Sequence, residues 1–157
     1  PPTTLLSSAA SDVYKRQVLA GPMGITPLSL GSMLRMMVAS VLPRPAVTER
    51  TSHWALGTSP AVTDRFGSWF TAVLEAVAPP PRVARPVALQ PEEFGRVEVP
   101  VLLLLGTRDP LVGDAAKAAQ QAAALPDLRV ETLESSHLVA AEQADEVNTL
   151  MVAFLRG

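Results

Sequence analysis

One aspartate and one histidine follow two successive strand-like segments in the last third of the chain. Asp109 comes shortly after the apolar run 99–105, and His137 comes shortly after the segment 128–133. Parallel strands end at a common edge of their sheet, where open α/β sheets bind their ligands. We therefore expect the two side chains to lie close together. A carboxylate that orients an imidazole forms two parts of a nucleophilic catalyst, in which the imidazole takes a proton from a hydroxyl.

The segments around these two residues predict alternating strands and helices. The apolar run 99–105 is typical of a strand buried on both faces of a parallel sheet. Asp114 predicts the N-cap of an alanine-rich helix that ends before Pro126. A second strand is predicted at 128–133, and apolar residues at helical spacing predict a closing helix at 144–155. This order indicates an α/β fold with parallel strands joined by right-handed connections.

The region before residue 91 predicts one short strand and several helices. Val18–Pro22 reads as the end of a buried strand that runs into a loop. Apolar residues spaced by three and four predict a helix from Leu30 to Val41, which Pro43 and Pro45 end. The simplest interpretation of the methionines in this helix places them in the core. They are Met33, Met36 and Met37.

A further helix is predicted from Ser59 as N-cap and Pro60 as first residue, up to the prolines at 79–81. Aromatic residues concentrate in this part of the chain, which is typical of a helical cap that covers a sheet edge and lines a pocket. The predicted apolar face of this helix comprises Val62, Phe66, Trp69, Phe70, Val73 and Val77.

The sequence from Val99 onward resembles the carboxyl-terminal end of the α/β-hydrolase family, and the resemblance extends loosely back to Val18. It implies that Asp109 matches the acid of the family and that His137 matches its base. It also implies a fold consisting of the carboxyl-terminal part of an α/β-hydrolase sheet plus a helical cap. The residues that carry it are Gly106–Asp109, Pro110–Val112, Leu125–Pro126, Ser136–Leu138, Glu146–Asn148 and Phe154–Leu155.

The resemblance divides the chain into four parts. We expect a disordered or artefactual tail at 1–17, because residues 8–17 resemble a translated adaptor sequence and show no periodicity. A core strand and loop follow at 18–27. A helical cap and connector occupy 28–90, and the carboxyl-terminal part of the hydrolase core occupies 91–157.

The nucleophile of the family stands in a Gly-x-Ser-x-Gly turn between a strand and a helix, and this sequence contains no such turn. The segment 57–61 has a serine, but it lacks the second glycine and a preceding strand. We therefore expect an inactive fragment of a serine hydrolase that acts on a carboxylic ester or related acyl substrate. Another upstream nucleophile would imply a dehalogenase- or haloperoxidase-like enzyme, and none would leave a non-catalytic scaffold.

Other polar residues near the predicted site have simpler interpretations. Asp114 is an alternative acid, although it is better placed as a helix cap. Ser135 and Ser136 are expected to form a turn. Two carboxylates, Glu134 and Glu142, could hydrogen-bond near His137, although solvated loop carboxylates are commoner. His53 and Trp54 are expected to pack or to line a pocket.

Composition narrows the class of partner. The net charge of −2 gives no electrostatic reason to expect nucleic acid or an anionic membrane. Two histidines and no cysteines are too few to indicate a metal centre. The resemblance to the α/β-hydrolase family implies neither a metal nor an organic cofactor. The 48% of apolar residues supplies ample material for a core. We expect a cytoplasmic protein with an apolar ester as its small-molecule partner, and its oligomeric state stays open.

Overall fold

The computed structural model describes residues 15–42, 44–57, 59–62, 66–69, 72 and 88–157. Its elements alternate between strands and helices from residue 91 onward, as an α/β fold requires. In chain order they are β1 (Gln17–Ala20), α1 (Leu30–Val41), α2 (Pro45–Leu56), α3 (Pro60–Val62), α4 (Pro91–Phe94), β2 (Val101–Gly106), α5 (Ala115–Ala122), β3 (Leu128–Leu133), α6 (Val139–Glu142) and α7 (Ala144–Arg156).

The three strands form a parallel sheet in the order β1-β2-β3. In the register of the sheet, Leu103 lies beside Leu19 on one side and beside Val130 on the other. Every residue of the central strand β2 is buried, which explains why its sequence is apolar without alternation. The predicted α/β class and the two predicted strands after residue 98 are confirmed.

Strand β2 contributes side chains to two cores, one on each face of the sheet, because successive residues of a strand point to opposite faces. One core joins Leu103 and Leu105 to α4 and α5. The other joins Leu102 and Leu104 to α6 and α7. Helices thus cover both faces of β2, and the loop at its carboxyl end follows a strand that is packed on both sides. The partners in the two cores include Phe94, Ala118 and Ala122 on the first face and Val139, Val147 and Phe154 on the second.

Truncation of a leucine in this central strand is expected to destabilise the chain strongly. Leu103 is fully buried, so Leu103→Ala should lower the free energy of unfolding by about 2–5 kcal/mol through lost burial and the cavity left behind. Urea denaturation followed by circular dichroism measures this change. Leu30→Ala is the matched control, because Leu30 is 82% exposed and its truncation should change the stability little. Equal effects of the two substitutions would contradict the assignment of the core.

Strand β1 begins at the last residue of the predicted tail, 1–17. Gln17 is the first residue of β1 and pairs with Val101. Arg16 donates a hydrogen bond to the carbonyl of Phe154 at 2.9 Å, and its guanidinium lies 5.4 Å from the centre of that ring. These contacts attach residues 16 and 17 to the sheet and to α7, whereas residues 1–14 lie outside the described part of the chain. Strand β1 is half-buried rather than buried.

The helical region differs from the prediction in three respects. Helix α2 was not predicted, because the residues it buries are mostly small or polar and give no apolar periodicity; they include Thr48, Thr51 and Ser52. The apolar face of α1 is exposed rather than core: Met33, Met36 and Met37 are 40%, 37% and 55% exposed. In the apolar face predicted after Pro60, Val62 is buried, whereas Phe66 and Trp69 are exposed. The other members of that face lie outside the described residues: Phe70, Val73 and Val77. Among the described residues no helix is suited to span a membrane.

Candidate active site

The carboxylate of Asp109 is held in place by the loop that follows β2. Its side chain is fully buried. One carboxylate oxygen, Oδ1, accepts hydrogen bonds from the backbone N–H groups of Leu111 at 2.8 Å and Val112 at 3.1 Å. A buried carboxylate needs such partners, because removing a charge from water is costly without them. The two bonds fix the orientation of the group and direct the other oxygen, Oδ2, away from the loop.

Oδ2 of Asp109 meets the imidazole of His137, which follows β3. The distance from Nδ1 to Oδ2 is 2.8 Å, and the histidine side chain is 17% exposed. Because a carboxylate oxygen on this side accepts the hydrogen, the geometry favours the tautomer with hydrogen on Nδ1. The lone pair of Nε2 is then available to take a proton. The structure thus brings together the two residues selected from the sequence.

The end of β1 approaches the same pair through Gly21. This glycine has φ of +57°, and a Cβ placed on it would lie 2.6 Å from the carbonyl oxygen of His137. The same Cβ would be 3.5 Å from both Oδ2 of Asp109 and Nδ1 of His137. A side chain here would be strained and would collide with backbone. The carboxyl ends of all three strands therefore converge on the Asp109–His137 pair.

An apolar cavity of about 370 Å³ lies beside the histidine. His137 is part of its wall, and most of the other lining residues are aliphatic residues in or next to α6. Such a cavity favours an apolar group over a charged one, because it offers few polar partners. Its lining comprises Ala20, Phe66, His137, Leu138, Val139, Ala140, Ala141 and Ala144.

The alternative acid, Asp114, has a structural role instead. Its Oδ1 accepts hydrogen bonds from the backbone N–H groups of Ala116 at 2.9 Å and Lys117 at 3.2 Å. These bonds satisfy two free donors in the first turn of α5. The predicted N-cap is therefore confirmed, and Asp109 is the aspartate that contacts His137.

Glu142 is more buried than the sequence indicates, and it makes the hydrogen bond near His137 that the sequence left as an alternative. We expected a solvated loop carboxylate, but its side chain is only 7% exposed. Oε2 accepts a hydrogen bond from the backbone N–H of Ser136 at 3.1 Å. Glu134, in contrast, is exposed and accepts a hydrogen bond from the hydroxyl of Thr107 at 3.2 Å. The one feature of the sequence that placed Glu142 near the site was its closeness to His137 in the chain.

The other residues considered in the sequence are placed as follows. Ser135 is fully buried, and no partner for its hydroxyl is found within the described part of the chain. His53 and Trp54 line a second cavity of about 430 Å³ that also includes Arg108. The guanidinium of Arg35 lies 4.9 Å from the ring centre of Trp54, so this aromatic ring has a packing role. No group of three or more potential metal ligands occurs in the described segments.

Comparison with known proteins supports the fold. No family model matches the chain. No curated protein sequence matches it significantly. The carboxylesterase CesB of Bacillus subtilis is a similar solved structure, with 20% identity and a TM-score of 0.76 over 89% of this chain and 50% of that one. The naproxen esterase of the same organism has 21% identity and a TM-score of 0.74 over 90% and 51%.

A bromoperoxidase of Bacillus anthracis is also similar, with 16% identity and a TM-score of 0.73 over 90% of this chain and 58% of that one. The chain thus spans about half the length of these structures. Identities this low establish the fold, whereas activity depends on the particular site. The parallel sheet, the flanking helices and these structural matches together show that the chain has the α/β-hydrolase fold.

Proposed function

We propose that Asp109 and His137 are the acid and the base of a Ser-His-Asp triad that hydrolyses a carboxylic ester or a related acyl substrate. The observation that carries this proposal is the 2.8 Å contact between Nδ1 and Oδ2, with the other carboxylate oxygen held by two backbone N–H groups. The serine would be supplied by a segment that precedes Val18 in a longer protein. This chain would then be the acid- and base-bearing part of that enzyme.

The proposed reaction follows from the tautomer of His137. Nε2 takes the proton of the serine hydroxyl while the serine oxygen attacks the carbonyl carbon of the ester. His137 then returns this proton to the leaving alkoxide, and an acyl-enzyme remains. In the second half, Nε2 takes a proton from water while the water oxygen attacks the acyl carbon. His137 then returns this proton to the serine oxygen as the bond from that oxygen to the acyl carbon breaks, which releases the carboxylic acid. Asp109 stabilises the imidazolium that forms in each half.

The cavity beside His137 supports an apolar substrate. Aliphatic side chains from Leu138 to Ala141 form much of its lining, and Phe66 adds an aromatic ring from the region 28–90. An acyl or alkoxy group of the ester would lose contact with water there, which favours binding. The proposal therefore includes the region 28–90 as a cap that contributes to substrate binding.

A haloperoxidase-like activity is the second candidate, because a bromoperoxidase is among the similar structures. An aspartate in place of the serine would instead support a dehalogenase-like reaction. A longer protein with no nucleophile at that position would support a scaffold without catalytic activity. The coding sequence ahead of Val18 separates these possibilities, since Gly-x-Ser-x-Gly supports the serine hydrolase.

A fluorophosphonate probe provides the biochemical test. We expect this chain alone to remain unlabelled and to leave a short-chain chromogenic ester intact, because it contains no serine nucleophile. The longer protein should be labelled at one serine and should hydrolyse the ester. Mass spectrometry of the labelled peptide locates the serine. Stoichiometric labelling of a serine within this chain would contradict the missing nucleophile, and an unlabelled, inactive longer protein would contradict the proposed hydrolase.

A further inference from the structure

The backbone just before His137 is tied to two other elements by one buried carboxylate and one hydroxyl. Glu142 lies at the end of α6, and its Oε2 accepts a hydrogen bond from the backbone N–H of Ser136 at 3.1 Å. Its other oxygen, Oε1, accepts a hydrogen bond from the hydroxyl of Ser136. Both contacts hold the residue that immediately precedes the imidazole. A shift of Glu142 would therefore shift His137.

The hydroxyl of Ser136 extends this connection to α2. Oγ of Ser136 lies 2.5 Å from the carbonyl oxygen of Leu56, the last residue of α2. The carbonyl of Leu56 and the carboxylate of Glu142 are both acceptors, and a hydroxyl offers one hydrogen. Ser136 therefore donates to one of them at a time or shares its hydrogen between them, and in either case it lies in contact with both. Residues 80 positions apart are thereby joined at the loop that carries the histidine.

Gly57 permits this close approach. It follows Leu56 with φ of +92°, and a Cβ on it would overlap Oγ of Ser136 and would lie 2.6 Å from Oε1 of Glu142. An alanine there would meet both the strained backbone conformation and the two oxygens. The absence of a side chain at Gly57 is thus required by the contact between α2 and the histidine loop.

The buried carboxylate of Glu142 is not part of the acid–base pair of Asp109 and His137. The carboxylate does not contact Asp109; its charged neighbour is Arg108, whose Nη2 lies 3.9 Å from Oε2 and whose side chain is 66% exposed. An ion pair with such an exposed partner contributes little stability. The cost of burying the carboxylate is therefore offset mainly by the bonds to Ser136.

We propose that Glu142 and Ser136 position His137 for catalysis, with Glu142 fixing the backbone before the histidine and Ser136 linking that backbone to the end of α2. Neither residue touches the reacting atoms, so both are positioning residues. The inference rests on the proposed function, in which Nε2 of His137 must stay directed at the serine. Besides the bond from His137 to Asp109, it adds to that function a further set of contacts, which hold the backbone before the histidine.

Nuclear magnetic resonance of this chain tests the positioning directly. With ¹⁵N-labelled histidine, only His53 and His137 give ring signals, because the sequence has two histidines, and His53→Gln assigns them. The Nδ1–H of His137 is expected to exchange slowly with water while it is bonded to Asp109. Glu142→Ala should accelerate that exchange by about tenfold or more, because the loop opens more often. Glu142→Gln, which keeps an oxygen acceptor for Ser136, should restore most of the protection.

Glu134→Ala is the matched control, because Glu134 lies near the same loop but is exposed. It should leave the exchange rate of Nδ1–H unchanged. A backbone amide spectrum checks that each variant is folded, and Ser136→Ala replaces Glu142→Ala if the latter fails to fold. Unchanged exchange in the folded variant would overturn the positioning role. Faster exchange, combined with a longer protein that lacks esterase activity, would support the positioning and contradict the proposed function alone.

Discussion

In the proposed longer protein with a serine nucleophile, His137→Ala is expected to lower kcat/KM for ester hydrolysis by at least about 10³-fold. The imidazole would act twice in each turnover, first as the base for serine and then as the acid for the leaving alkoxide. Its removal corresponds to about 4 kcal/mol of lost transition-state stabilisation. Initial rates with a short-chain chromogenic ester measure the effect. The loss should fall mainly on kcat, because the imidazole is proposed to act in the proton transfers of the transition state.

The control for this substitution is His53→Ala. His53 lies in α2 and lines the second cavity together with Trp54, so its removal should leave kcat nearly unchanged. Thermal denaturation of both variants shows whether either has lost its fold. A His137→Ala enzyme with near-normal turnover would remove this residue from the mechanism.

Asp109→Asn is expected to lower kcat by about 10⁴-fold while the fold is kept. The amide oxygen of asparagine can still accept the N–H groups of Leu111 and Val112, which now bond to Oδ1. Its NH₂ group would face Nδ1 of His137, so the histidine would have to accept a hydrogen bond there. The hydrogen would then move to Nε2, and the imidazole could no longer take the proton of serine. Steady-state kinetics and circular dichroism separate this effect from unfolding.

Asp114→Asn is the matched control for the aspartate. Asparagine caps helices about as well as aspartate does, so α5 should persist and turnover should be unchanged. The double variant Asp109→Asn with His137→Ala provides a further check. Its activity should resemble that of His137→Ala alone, because the carboxylate is proposed to act through the imidazole. Additive losses would contradict the shared role.

Much of the sheet and the placement of the acid–base pair could be predicted from the sequence. The apolar run ending at Leu105 is long enough for a strand and too apolar for a surface element, and β2 has that character. Asp114 fixes the start of α5 by local backbone chemistry, which needs no tertiary information. The helix ends at Ala122, before the predicted end at Leu125 that was inferred from Pro126. The contact between Asp109 and His137 followed from topology, since neighbouring parallel strands end at one edge.

The unpredicted features depend on tertiary contacts that leave no periodic signal. Helix α2 buries Thr48, Thr51 and Ser52, whose side chains are polar, so no apolar stripe marks it. The burial of Glu142 depends on Ser136 and on the end of α2, which is distant in the sequence. The exposure of α1 likewise shows that an apolar spacing predicts a helix without identifying what that helix packs against.

The four consecutive leucines of β2 also leave its alignment with β3 weakly specified. A slip by one residue would exchange the leucines between the two faces, and each face would still receive leucine. The penalty for such a slip would instead fall on the contact between Asp109, which follows β2, and His137, which follows β3. The buried carboxylate would keep its local amide donors but would lose the imidazole. Asp109, which is proposed to serve in catalysis, thus also stabilises the native alignment of β2 with β3 relative to a shifted one.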